Sequence, residues 1–283
     1  MTVEEWAALE QRLGGTVVKT GGVWWRRSRP LFYRPLFPFE ALPRKVVPPP
    51  LARLGGWQHA VPEGAVHNAH LNFMVFLGPQ HYDPGKLLRG DRQSLKRAAR
   101  SLTYRRITDA HELATEGFRV LREFFSRNDY EYRRDRLRPA VFRRWAEGLI
   151  NEPKVLVLGA YSKAGLCEVE VSFRVRDILF FEVTFSSHEG RSLHSADGVL
   201  DWLRREAAAT DVSMICVGPA CAKSRLDGFK LRRGGAVISV PAYLHLSPLS
   251  QLLLKLATPA IYGRLLGLDS AKTTDYMAAC PRA

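Results

Sequence analysis

Three strand-like runs, 155–161, 166–175 and 178–187, constrain this chain more than any other feature. The links between them are only Ser162-Lys163-Ala164-Gly165 and Arg176-Asp177. Parallel neighbours need a crossover of about a dozen residues or more, so links this short admit only antiparallel pairing. The runs therefore read as a meander. In the middle run Glu168, Glu170, Ser172 and Arg174 alternate with Cys167, Val169, Val171, Phe173 and Val175. That alternation gives the strand one polar face. Glu182 interrupts the apolar third run, ILFFEVTFSS. A three-residue turn would place Glu170 opposite Glu182, and a two-residue turn would place Val171 there.

The flanking segments extend the pattern. Residues 84–101 read as a helix with Pro84 in its first turn and Leu87, Leu88, Leu95 and Ala98 along one stripe. Residues 102–108 read as a strand. From Asp109, the residues Leu113, Gly117, Val120, Leu121, Phe124 and Phe125 recur with a helical period. A second helix starts at Pro139, with Val141, Phe142, Trp145 and Leu149 on its apolar face. After the meander come a helix near 195–209, a buried strand at 214–217, a short helix at 226–232 ended by Gly234-Gly235, and a strand at 236–246. From residue 102 the order is strand, two helices, three antiparallel strands, helix, strand, short helix, strand.

Residues 1–80 are rich in Gly, Pro and Trp. Thr16-Val17-Val18-Lys19 and Val23-Trp24-Trp25-Arg26 flank Gly21-Gly22, a hairpin signature. Residues 30–50 carry seven prolines, which argues against a regular central strand or helix. Leu31, Phe32, Tyr33, Leu36, Phe37 and Phe39 are too apolar for a free linker, so this segment is expected to lie extended along a larger body. Residues 72–77, NFMVFL, read as a buried strand, and no internal repeat is visible. Near the C-terminus, Leu249 to Leu268 is apolar but interrupted by Lys255, Pro259 and Arg264. Central charges of this kind argue against a membrane span. A packed helix or a dimer contact is the expectation, with a helix lying on a membrane surface as the alternative.

Charge is uneven. Lys and Arg total 42 against 28 Asp and Glu, a formal net charge of +14. Such a surplus favours an anionic partner, although a preference for arginine alone would also produce it. Two dense runs carry it: one from Lys86 to Arg106, and one of Arg133, Arg134, Arg136, Arg138, Arg143 and Arg144. They read either as solvated helix faces or as a surface for an anionic partner such as nucleic acid, a phosphorylated cofactor or an acidic membrane. The four cysteines, Cys167, Cys216, Cys221 and Cys280, form no C-x-x-C pair, so no metal site is expected. Together with the acidic amphipathic start MTVEEWAALEQRLGG, they point to a reducing cytoplasmic setting, with a peripheral membrane association left open. No G-x-S-x-G elbow, Walker loop or G-x-G-x-x-G is present.

Several short patterns accompany the element order. Arg97-Ala98-Ala99-Arg100 lies on the basic helix, and Phe124-Phe125-Ser126-Arg127 ends the next one. Leu158-Gly159-Ala160-Tyr161 precedes a turn, and Ser186-Ser187 with Glu189-Gly190-Arg191 leads into the central helix. Leu226-Asp227-Gly228-Phe229-Lys230 is followed by Gly234-Gly235. With the element order, these resemble the GNAT acyltransferase superfamily over about residues 86–246, and within it the Fem-type branch of peptidoglycan-bridge aminoacyltransferases. The resemblance implies an α/β (α+β) fold with a mixed, largely antiparallel sheet flanked by helices. Residues 1–85 would then be an N-terminal extension or a reduced first half-domain. Residues 86–246 would be the acyltransferase domain, and 247–283 a C-terminal helix and tail.

The resemblance also implies N-acyl transfer of an acyl or aminoacyl group to an amine, with a non-catalytic protein binding nucleic acid or an anionic membrane as the alternative. Donor phosphates would meet the start of the helix after the fourth strand, at Arg191, Ser192, His194 and Ser195. Ser195 is equally suited to simple capping. The loop His188–Ser195 lacks the family's Arg/Gln-x-x-Gly-x-Gly/Ala spacing, so the donor stays open among acyl-CoA, acyl carrier protein and aminoacyl-tRNA. Glu182 and His188 are the candidate bases, against an exposed or ion-paired glutamate and a solvated loop histidine. Lys230 would be a cationic electrophile or phosphate anchor, against a surface lysine beside Arg232 and Arg233.

Overall fold

The computed structural model describes residues 1–128, 133–220 and 224–268. Along the chain the elements are α1 (Val3–Arg12), β1 (Val17–Thr20), β2 (Val23–Arg29), β3 (Phe32–Pro35), β4 (Gly56–Ala60), β5 (Ala69–Leu77) and α2 (Arg89–Ser101). There follow β6 (Thr103–Arg106), α3 (Ala110–Glu112), a π-turn at Leu113–Gly117, α4 (Phe118–Arg127), α5 (Pro139–Ile150), β7 (Val155–Ser162), β8 (Gly165–Val175) and β9 (Ile178–Ser186). The last are α6 (His188–Ser192), α7 (Ser195–Ala208), β10 (Met214–Pro219), α8 (Ser224–Arg232), β11 (Ala236–Leu246), α9 (Pro248–Ala257) and α10 (Pro259–Leu266).

Two compact units are interleaved along the chain. The first comprises Met1, Val75–Gly218 and Arg232–Gly235. Its strands run β10-β9-β8-β7-β6. All its neighbours are antiparallel except β9 and β10, which are parallel. The meander forms as the short links require, with two-residue turns at Lys163-Ala164 and Arg176-Asp177. On one face Val120 and Leu121 of α4 and Phe142, Trp145 and Leu149 of α5 are buried, with both α5 aromatics against Phe185. On the other face Leu158, Ala160 and Cys167 form a cluster with Ala98 and Leu102 and with Val199 and Leu203 of α7. Helices thus cover both faces of β8, and Leu166 through Phe173 are all buried.

The second unit comprises Thr2–Met74, Pro219–Leu231 and residues from Ala236 on. Its strands run β1-β2-β3-β4-β11. The hairpin at Gly21-Gly22 is present, with Val17 opposite Arg26 and both glycines in the left-handed region. The proline-rich segment does hold a strand, contrary to expectation. β3 pairs antiparallel with β2 and parallel with β4, because the prolines flank it or end it rather than interrupt it. A parallel partner needs a long crossover. Residues 36–55 supply it, tied down by Leu42 N–H to Ala60 O at 2.9 Å and Thr20 Oγ1 to Val47 O at 2.9 Å. Each unit thus carries an antiparallel three-strand meander followed by a short parallel pair, although the sequences show no repeat.

Other boundaries differ from the sequence pattern. Pro84 sits in a separate 3-10 turn capped by Asp83, and α2 starts only at Arg89. The helix from Asp109 contains the π-turn, where Gly117 lies against Leu113 and Phe142. The C-terminal segment is two helices, because Pro259 starts a new one after Thr258. Its leucines are largely exposed rather than packed. Cys167 and Cys216 are buried; Cys221 and Cys280 lie outside the described residues.

Candidate functional site

The polar face of β8 carries the most perturbed chemistry in the first unit. Glu168 and Glu170 are 1% and 0% exposed, because α7 lies over them. Glu168 accepts hydrogen bonds from the Ser195 hydroxyl and from Thr184 Oγ1, the latter at 3.0 Å. Burial pushes its pKa up to about 7, with Asp197 adding to the rise and the two hydroxyls opposing it. Glu170 is held well above the usual carboxylate range by burial and by Glu168, and Ser172 donates to it at 3.5 Å. Tyr104 from β6 completes the group, its phenol raised by burial and by Glu168. A Cβ at position 198 would come within 1.7 Å of the Tyr104 oxygen, so only glycine fits there.

These carboxylates were visible in sequence as an alternation, but their burial was not. Whether the polar face of a strand meets water depends on a helix that arrives later in the chain. Thr184 is the exception to the burial. It is exposed on β9 yet bonded to Glu168, so it links a buried acid to the surface.

The register resolves the position of Glu182. The turn is a two-residue one, with Val175 opposite Ile178 and Arg176 in the left-handed region. Val171 nevertheless pairs with Val183 and Ser172 with Phe181, so Glu182 is the extra residue of a β-bulge. Neither of the two registers read from the sequence applies. A bulge bends its strand and redirects a side chain. The bend coincides with a split: β9 and β10 pair only from Ile178–Phe180 to Met214–Cys216. Beyond this pairing Phe181, Glu182 and Val183 are half-buried and Thr184 is exposed. Gly218, with φ of 94°, breaks the extended course of β10.

The other predicted residues are distributed as follows. His188 is exposed at the start of α6, and its backbone N–H donates to Glu123 Oε2 at 3.2 Å. Arg191 and Ser192 are exposed on α6, an unanticipated helix in the loop. His194 is the N-cap of α7 in a left-handed conformation, 3.8 Å from Asp197. Ser195 is fully buried, its hydroxyl committed to Glu168. The four candidate phosphate contacts are therefore split between an exposed pair and an inner pair. Lys230 lies on α8, in the second unit.

Beside the inner pair, Arg233 is buried rather than superficial. It binds Asp197 in the first turn of α7, with its Nε at 2.7 Å, and Asp91 in the first turn of α2 at 3.1 Å. Asp197 is still raised by burial. The exposed face of α2 is strongly basic, and Arg89, Lys96, Arg97 and Arg100 make no ion pair among the described residues. A groove of about 660 Å³ lies along α4, lined by Phe118, Phe125 and Leu137 with Arg119, Arg122 and Arg134. Arg127 of α4 donates to Ser186 O at the end of β9. Among the described residues no group of three His, Cys, Asp or Glu is placed to hold a metal ion.

No protein-family model matches this chain, and no curated protein matches it. Solved structures do. The crystal structure of FemX is similar over 89% of this chain and 93% of that one, with a TM-score of 0.57 at 10% identity. The C-terminal domain (DUF2156) of a protein assigned as a lysylphosphatidylglycerol synthetase from Agrobacterium fabrum is similar over 88% and 90%, with a TM-score of 0.55 at 12% identity. L-PGS from Bacillus licheniformis is similar over 93% and 96%, with a TM-score of 0.50 at 10% identity. The architecture is a Fem-like GNAT fold, mixed α/β with a largely antiparallel sheet.

Proposed function

We propose that this chain transfers an acyl or aminoacyl group from an anionic carrier to an amine, at the wedge where β10 parts from β9. The observation that carries this reading is the wedge itself, with pairing that ends at Phe180 and Cys216 and a bulge at Glu182 just beyond. An extended acyl group can lie along the departing part of β9, using strand-like contacts. The amine attacks the acyl carbonyl and passes its proton to Glu182, and the carrier leaves with the electron pair of the broken bond. His188 is too far along the strand to share that proton. Glu182 and Ser186 lie four steps apart along the strand, roughly 13 Å at about 3.3 Å per residue. The acceptor amine approaches along the α4 groove, whose helix touches the end of β9.

The carrier best supported is aminoacyl-tRNA, with acyl carrier protein and acyl-CoA as alternatives. The unpaired cations of α2 form a surface for a polyanion. The start of α7, where a CoA diphosphate would be held, instead presents Asp197 and a committed Ser195 hydroxyl. Transfer assays with labelled aminoacyl-tRNA, acyl carrier protein and acyl-CoA, each with a panel of amines, test this reading. Transfer from aminoacyl-tRNA alone is expected. Glu182→Gln should lower kcat by about 100-fold or more. Lys96→Glu with Arg97→Glu should raise KM for the tRNA and spare kcat. Salt-sensitive RNA binding with no transfer from any donor would replace this reading with the non-catalytic one.

A further inference from the structure

The apolar stripe of α9 faces outward. Leu249, Leu252, Leu253 and Leu256 recur at the i, i+3, i+4, i+7 spacing of residues that normally face a core. Here they are between 54% and 75% exposed. The opposite side of the helix, at Gln251 and Leu254, is half-buried. That orientation is pinned. Ser247 caps the helix and donates through Oγ to Leu54 O at 2.8 Å, its N–H bonds Gly55 O at 2.9 Å, and Gln251 reaches the Tyr262 hydroxyl at 3.3 Å. The same anchor sets exposed Leu51 and Leu54 beside the start of the helix, and α10 adds exposed Ile261.

Among the described residues, the charges that α9 and α10 carry are all positive. Arg53, Lys255 and Arg264 are exposed around the patch, and no Asp or Glu occurs from Gly228 to Leu268. A second copy related by a two-fold axis would bring these cations against their own kind. An anionic bilayer complements both features, taking leucines at the acyl boundary and cations at the headgroups. No described helix is long and apolar enough to cross a membrane, so the fit is to a surface. We infer that α9 and α10 form a docking face for an anionic phospholipid surface.

Co-sedimentation of the full chain with vesicles tests this, comparing phosphatidylcholine alone with phosphatidylcholine–phosphatidylglycerol mixtures. Binding to the mixed vesicles should be at least about tenfold tighter, given about 1 kcal/mol per cation near such a surface. Leu252→Ser with Leu256→Ser, both exposed, should weaken it about tenfold or more without lowering the melting temperature. Lys255→Glu with Arg264→Glu should remove the preference for phosphatidylglycerol. Equal or absent binding to the two vesicle types overturns the inference. So does binding lost in Lys96→Glu with Arg97→Glu but retained in the leucine variant, which would place the contact on α2. A dimer in sedimentation velocity that the leucine variant dissolves would make the patch a contact between copies, and would also overturn it.

Discussion

Replacing Glu168 with glutamine isolates the titration of one buried carboxyl. In the folded chain this group is held at about 7, against an ordinary value of 4.5, chiefly because burial penalises the carboxylate. Between those values the folded state binds more protons than the unfolded one. The group's stabilising contribution is therefore full below the lower value and lost as the pH rises through the upper one. A rise of this size corresponds to roughly 3 kcal/mol. Glutamine cannot ionise, so wild-type stability relative to Glu168→Gln should fall by about 3 kcal/mol between about pH 4.5 and pH 8. The carboxamide can accept from Ser195 or from Thr184 but turns its NH₂ toward the other. That imposes a pH-independent cost of about 1 kcal/mol. Urea unfolding of both proteins across the pH range reads the difference between the two curves. Parallel curves would refute the reasoning. Glu170→Gln should shift in the same direction: burial raises Glu170 as well, so wild-type stability relative to this variant should also fall as the pH rises above the ordinary carboxylate range.

Other outcomes follow from the same packing. Gly198→Ala forces a methyl group against the Tyr104 oxygen and should cost about 1–3 kcal/mol in chemical unfolding. Adding Tyr104→Phe should recover only part of that loss, since it removes the oxygen but leaves the ring carbon Cζ, which lies 2.4 Å from the added methyl position. Arg233→Met leaves Asp197 and Asp91 buried without their shared partner and should cost about 3–5 kcal/mol. Arg233→Lys should recover little, because a single ammonium lacks the fork that spans both carboxylates.

The meander, the strand at 236–246 and the helix at Pro139 were legible in the sequence because short links and strict periodicity are local properties. The register at Glu182 was not, because a bulge inserts one residue that neither turn length nor alternation reports. The fate of Glu168 and Glu170 was also hidden, since Ser195 and the α7 backbone that cover them lie many residues later. Arg233 reads as one more cation in a basic run, and only the meeting of two helix starts makes it a buried clamp. The proline-rich segment misled for a different reason. Prolines exclude a strand only where they fall within it, and Phe32–Pro35 fits between Pro30 and Pro38 with Pro35 at its end.

The pairing of β4 with β11 has a consequence for the order of assembly. Ala60 pairs with Ala242, and the Asn68 side chain bonds Leu244 across 176 residues of chain. A chain emerging from the ribosome makes β4 early but must wait for β11. The meander at 155–186 meets its neighbours locally and pays little loop-closure entropy. β4 is therefore made long before its partner and lacks it until residues 242–246 have been synthesised. Slow steps in refolding, and capture by chaperones during synthesis, should map to β4 rather than to the meander.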